Sequence, residues 1–189
     1  MIRNTAMCAA VAASLLAFVG PAGAAETGDS ASLFLQMHRV MAHPRCLNCH
    51  PKGDSPRQGD DAHLHVPPIT RGAHDNGAAG LHCDTCHQPA NFPASGVPGA
   101  PTWHLAPLSM AWEGKTPGEV CRQILDRRSN GNKTLAQIVA HLTEDKLVAW
   151  GWDPGVDVNG KAREPVPIPK SEFNRIVQAW ANSGAACPK

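Results

Sequence analysis

Seven cysteines and ten histidines are the chemically versatile residues of this 189-residue chain, and many of them fall into two copies of one pattern, Cys46-Leu47-Asn48-Cys49-His50 and Cys83-Asp84-Thr85-Cys86-His87. On a helical turn the two sulfurs and the imidazole of each copy stand at i, i+3 and i+4 and project from one face. Cys-x-x-Cys-His is the attachment pattern of c-type haem, in which the thiols form thioethers and the imidazole binds iron axially. Zinc held by four thiolates, or a thioredoxin-like dithiol, would also use Cys-x-x-Cys. Neither requires a histidine directly after the second cysteine, and here one follows both times. The pattern therefore predicts two covalent haem c groups, with Cys46, Cys49, Cys83 and Cys86 as attachment thiols and His50 and His87 as iron ligands.

The opposite axial position of each iron decides between a carrier and a catalyst. His38, His43, His63, His65, His74, His82, His104 and His141 remain as candidates. His82 adjoins Cys83 and His43 lies just before Cys46, so neither swings easily over its own haem, although each could reach the other. His65, in the Pro-rich loop after His50, is expected over the first haem. His104, in Pro101-Thr102-Trp103-His104-Leu105, is expected over the second, with Trp103 packing against a haem or walling off solvent. His63 and His74 compete for the first iron, and Met110 and His141 for the second. A methionine ligand would raise the potential relative to two histidines. Met37 and Met41 lie on an apolar helical face and read as core. Two six-coordinate, low-potential bis-histidine haems are expected. A haem enzyme or gas sensor with one open iron site is the alternative.

Haem attachment of this kind takes place outside the bacterial inner membrane, and the N-terminus agrees. Arg3 begins a positive segment, Met7 to Val19 is apolar, and Pro21-Ala22-Gly23-Ala24-Ala25 is a small-residue cleavage site. Residues 1–25 thus read as a signal peptide and the periplasm as the destination. The apolar stretch is shorter than the roughly 20 residues of a spanning helix, so no membrane span is expected after cleavage. Cleavage takes Arg3 from the 17 basic residues and nothing from the 16 acidic ones, leaving a balanced charge. That balance argues against nucleic acid or an anionic membrane as partner.

The elements that must position these groups divide the chain into a haem region, 26–110, and a helical C-terminal region, 111–189. Leu33 to Met41 has helical apolar spacing and ends at His43-Pro44. Long stretches rich in Pro and Gly surround the second motif and read as ordered loop, which needs something to hold it. Thr116-Pro117-Gly118-Glu119 is a capping box opening a helix to about Arg128. Thr134 is expected to cap Leu135 to Leu142, Thr143 to cap Glu144 to Trp150, and Ser171 to cap a final helix through Trp180. No strand pattern competes. The fold class is mostly α with extensive loop: a haem-organised N-terminal part with both motifs, plus a small helical C-terminal part. Cys121 and Cys187 are left over in an oxidising compartment and are expected to form a disulfide. Four Phe, five Trp and no Tyr are few aromatics for such a core. Burial of two haem plates would replace them, so the chain without haem is expected to fold poorly.

The motif pair, the signal peptide and the histidine-rich loops resemble a periplasmic dihaem c-type cytochrome. His43 to Pro51, Gln58-Gly59-Asp60-Asp61, Pro98 to Pro107 and Trp150-Gly151-Trp152 resemble a group of small bacterial cytochromes that carry the name isoquinoline 1-oxidoreductase subunit. The resemblance implies an electron acceptor serving a molybdenum hydroxylase. The chain has no molybdopterin or flavin motif and no further cysteine cluster for iron–sulfur binding, so hydroxylase chemistry would sit on another chain. A looser likeness, to the dihaem subunit of periplasmic nitrate reductase, stops after the second motif. These readings converge on an electron carrier that is not itself an enzyme, working with redox protein partners such as a periplasmic oxidoreductase.

Overall fold

A computed structural model describes Met1 and residues 29–189; the expected signal peptide lies outside the described residues. Helix α1 (Ser30–Met41) buries Leu33, Phe34, Met37, Val40 and Met41, the stripe expected from its periodicity. His43 caps the short α2 (Pro44–Leu47) by accepting the Arg45 amide at its ring nitrogen, with Pro44 at the first helical position. Cys46 thus stands in a helical turn, and Cys49 and His50 follow in its unwinding end.

Two small antiparallel ladders come next, β1 (Arg57–Gln58) with β2 (His63–Leu64), and β3 (Gly77–Ala78) with β4 (Leu81–His82). Neither was expected. Two-residue strands are too short to show alternation, and their register is set by the turns they close. A 3₁₀ turn, Cys83–Thr85, carries the second motif.

The C-terminal helices are α3 (Pro117–Leu125), α4 (Leu135–Glu144), α5 (Lys146–Ala149) and α6 (Lys170–Asn182). Reciprocal capping boxes open α3 at Thr116 and Glu119 and α4 at Thr134 and Gln137, as their sequences predict. Two expected caps are corrected. Asp145 caps α5, and Thr143 instead bonds back to the Val139 carbonyl inside α4. Pro169 precedes α6, so Ser171 lies within the first turn and does not cap it.

One apolar cluster joins the ends of the chain. Phe34 of α1 packs on Trp180 of α6 with ring centroids 5.5 Å apart, and Val120, Ile124, Ile138, Leu142, Phe173, Ile176 and Val177 surround them. Each such side chain stabilises by roughly 1.5–3 kcal/mol through burial. Ser30 Oγ donates to the Trp180 carbonyl and accepts the Ala186 amide, locking α1 onto the C-terminal turn. The expected Cys121–Cys187 disulfide is present, with Cα atoms 5.5 Å apart. Closing a loop with a sequence separation of 66 stabilises by about 4 kcal/mol on the chain-entropy account. The chain is mostly helix and loop, with only these two small ladders among the described residues. Among the described residues no helix is long and apolar enough to cross a membrane.

Candidate functional site

Both histidines that close the motifs are held in the same way. His50 Nδ1 donates to the Met110 carbonyl at 2.7 Å, and its ring stacks on Trp112 with centroids 3.5 Å apart and planes 9° from parallel. His87 Nδ1 donates to the Pro98 carbonyl at 2.7 Å, and its ring stacks on Trp103 at 4.5 Å and 7°. A carbonyl can only accept, so each ring carries its proton on Nδ1 and keeps a lone pair on Nε2. That is the tautomer of an imidazole that binds a metal through Nε2 with its orientation set from behind.

A single segment, residues 98–112, supplies both acceptors and both stacking tryptophans. This strap is tied down between the motifs: the Leu105 amide donates to the Asp75 carbonyl at 2.8 Å and the Ala106 amide to the Cys49 carbonyl at 3.0 Å. Arg71 fastens it to the preceding loop. Its buried guanidinium donates to the Ala106 carbonyl at 2.8 Å and the Gly53 carbonyl at 3.1 Å, and pairs with Asp75. The Trp112 amide donates to the His50 carbonyl at 2.9 Å, so the first histidine is gripped through ring and backbone alike. Gly99 lets the strap close on the second motif, because a Cβ there would collide with the carbonyls of Gln88 and Ala90.

The surroundings of the motifs differ. Burial drives the Cys46 thiol up to about 12 and the Cys49 thiol to about 11, with the neighbouring thiols of Cys49 and Cys83, respectively, adding to it. Adjacent strap residues bridge the first motif and the loop before the second, Ala106 bonding to Cys49 and Leu105 to Asp75. Burial also pushes His50 down to about 4, against the Met110 hydrogen bond, with His141 and His104 lowering it further. His87 is lowered chiefly by burial, with His65 and Arg163 contributing. Both imidazoles are thus neutral at neutral pH, as metal ligation requires.

Of the other expected residues, His65 departs from the place that chain distance gives it. His65, expected over His50, lies against His87, with ring centroids 6.0 Å apart and planes at 63°. His104, expected at His87, is exposed and directly follows Trp103, which stacks on His87. Beyond His104 the strap reaches the first motif, where the Ala106 amide donates to the Cys49 carbonyl. His65 and His104 each donate Nδ1 to a nearby carbonyl, of Pro67 and Thr102, and His141 donates to Asp145 at 3.1 Å. All three keep Nε2 available. His63 is exposed and paired with Asp61, and exposed His74 lies in the loop before β3. Met110 is buried in the apolar cluster while its carbonyl holds His50. Met37 and Met41 are core.

Several contributors carry no motif signal. The Met110 and Pro98 carbonyls are backbone atoms, visible in no sequence pattern. Trp112 could have been noticed as a second tryptophan in the Pro-rich stretch that already contains Trp103. Asn91 accepts from the Gly99 amide at 3.0 Å and from Trp150 Nε1 at 2.9 Å, and donates to the Asp153 carbonyl at 2.9 Å. Trp150 in turn meets the edge of Trp103, and Arg45 lies over Trp150.

The residues fit haem better than a bare ion. Among the described residues no three His, Cys, Asp or Glu side chains converge as a bare metal ion needs. The arrangement instead offers oriented single imidazoles beside thiol pairs. Trp112 Nε1, buried and without an acceptor among the described residues, is a spare donor beside His50. The chain matches no protein-family model, no curated protein and no solved structure.

Proposed function

We propose that this chain is a periplasmic electron-transfer protein with two covalent haem c groups, one on Cys46, Cys49 and His50, the other on Cys83, Cys86 and His87. The observation that carries the reading is the identical grip on His50 and His87: Nδ1 on a strap carbonyl, ring on a strap tryptophan, Nε2 open. Two unrelated dithiols would have no need of it. Bound haem iron supplies a one-electron couple. The polypeptide's part is to hold each imidazole in one tautomer and orientation, to surround the first site with apolar side chains, and to keep the two motifs adjacent. On this reading the chain relays electrons between an oxidoreductase partner and the respiratory chain, consistent with the dihaem cytochromes it resembles.

Purified protein is expected to give a pyridine haemochrome spectrum with two thioether-linked haems per chain, low-spin paramagnetic-resonance signals, and no reaction of the reduced form with carbon monoxide. A high-spin iron that binds carbon monoxide readily would replace the carrier with a haem enzyme or gas sensor. Absence of covalent haem would reject both.

A further inference from the structure

We infer that His65, on the loop that leaves the first motif, is the second axial ligand of the haem carried by the second motif. The inference rests on the haem reading proposed above and deepens it. Two imidazoles bound to one metal at about 2 Å each, with Nε2 about 1 Å from its ring centroid, have centroids about 6 Å apart. His65 and His87 are 6.0 Å apart, and an angle of 63° between the planes is free to occur because rotation about a common metal axis does not change the bond lengths.

A bare edge-to-face ring pair would fall in the same distance range. It explains less. His65 Nδ1 donates to the Pro67 carbonyl at 2.9 Å and His87 Nδ1 to the Pro98 carbonyl at 2.7 Å, so both rings are committed to the tautomer with a lone pair on Nε2. Two such rings have no hydrogen bond to offer one another, whereas a metal accepts both lone pairs.

The position of His65 is set from the first motif. The Arg57 amide donates to the Asn48 carbonyl inside that motif at 3.1 Å, and Asn48 Nδ2 donates to the Gly59 carbonyl at 3.0 Å. These bonds anchor the ladder of β1 and β2, whose register pairs Arg57 with Leu64 and Gln58 with His63. One residue further, the His65 amide donates to the Pro56 carbonyl at 3.1 Å, and the Val66 amide to Gln58 Oε1 at 3.0 Å. A short braced arm thus runs from the first motif to the second iron, and the second site is complete only when the first motif is folded.

The test uses the dihaem protein with Cys86→Ala as an optical tag, because a haem joined through one thioether keeps a conjugated vinyl group and its α-band moves to the red. In the untagged protein His65→Ala should raise the number of carbon monoxide-reactive haems from none to one of two, and on the tagged background the band that His65→Ala changes should be the red-shifted one. Added imidazole should restore the low-spin spectrum, which it would not do for a merely structural defect. Should the alanine variant fail to fold, His65→Met on the same tagged background should raise the potential of the tagged haem alone. Carbon monoxide binding by the unshifted haem, or by neither, overturns the assignment, as does binding by either haem of the untagged protein while His65 is intact. A protein with no thioether-linked haem overturns the underlying reading.

Discussion

The two motifs share a pentapeptide pattern and a grip on the histidine, yet their supports are of different kinds. The first grows out of α2 against the apolar cluster, with Arg45, Asn48, Pro51 and Trp112 buried around it. The second lies on a 3₁₀ turn in a stretch, residues 81–90, where no residue is buried. Apolar packing backs the strap residues, Met110 and Trp112, that hold His50. A polar lattice of Asn91, Gly99, Trp150 and Asp153 backs the strap at Pro98, which holds His87. One ring geometry can therefore be reached through the hydrophobic effect or through directional hydrogen bonds, and the two routes should fail differently.

Trp112→Ala strikes the packed site and should have the largest effect, lowering stability in denaturant melts by about 3–5 kcal/mol, as large-to-small changes of buried aromatics do. Trp103→Ala, the counterpart at a partly exposed position, should cost only about 1 kcal/mol. Equal losses would show that the sites are supported alike. Next in size, Arg71→Met removes the fastening between them and leaves two carbonyls and Asp75 short of a donor, an expected loss of about 2–3 kcal/mol. Hydrogen exchange should then quicken at the Leu105 and Ala106 amides, and unchanged protection there would mean that the strap does not depend on Arg71.

Asn91→Ala takes three hydrogen bonds from the second site and should cost about 2 kcal/mol, with spectral change confined to the haem proposed on Cys83 and Cys86. Perturbation of both haems in redox spectra would dissolve the distinction drawn between the sites. The smallest effect concerns potentials. Burial disfavours the extra positive charge of oxidised iron, so the haem proposed for the first motif should titrate at the higher potential. A redox titration with the Cys86→Ala tag reads that order, and the reverse order would show that axial ligands outweigh burial.

Local signals accounted for much of this. Thr116 with Glu119 and Thr134 with Gln137 form caps from residues three apart, so their geometry is complete within a few residues of sequence. The stripe of α1 was legible for the same reason. Thr143 and Ser171 misled because the preferred cap loses when a neighbour, Asp145 or Pro169, reaches the turn first. At the candidate site, the motif histidines were plain, but the roles of His65 and His104 were inferred from distance along the chain. For His65 the β1–β2 ladder reverses the chain and brings the ring to His87, so proximity in sequence ceased to predict proximity in space.

By itself, the sequence determined which atoms could bind what: two thiol pairs each followed by an imidazole, a leftover cysteine pair, and helices whose caps and apolar spacing are local. Only the tertiary structure decided which carbonyl orients each ring, which tryptophan stacks on it, and that His65 faces His87. Those relations are made by backbone atoms and by residues distant in sequence, and such contacts exist only once the chain has folded back on itself.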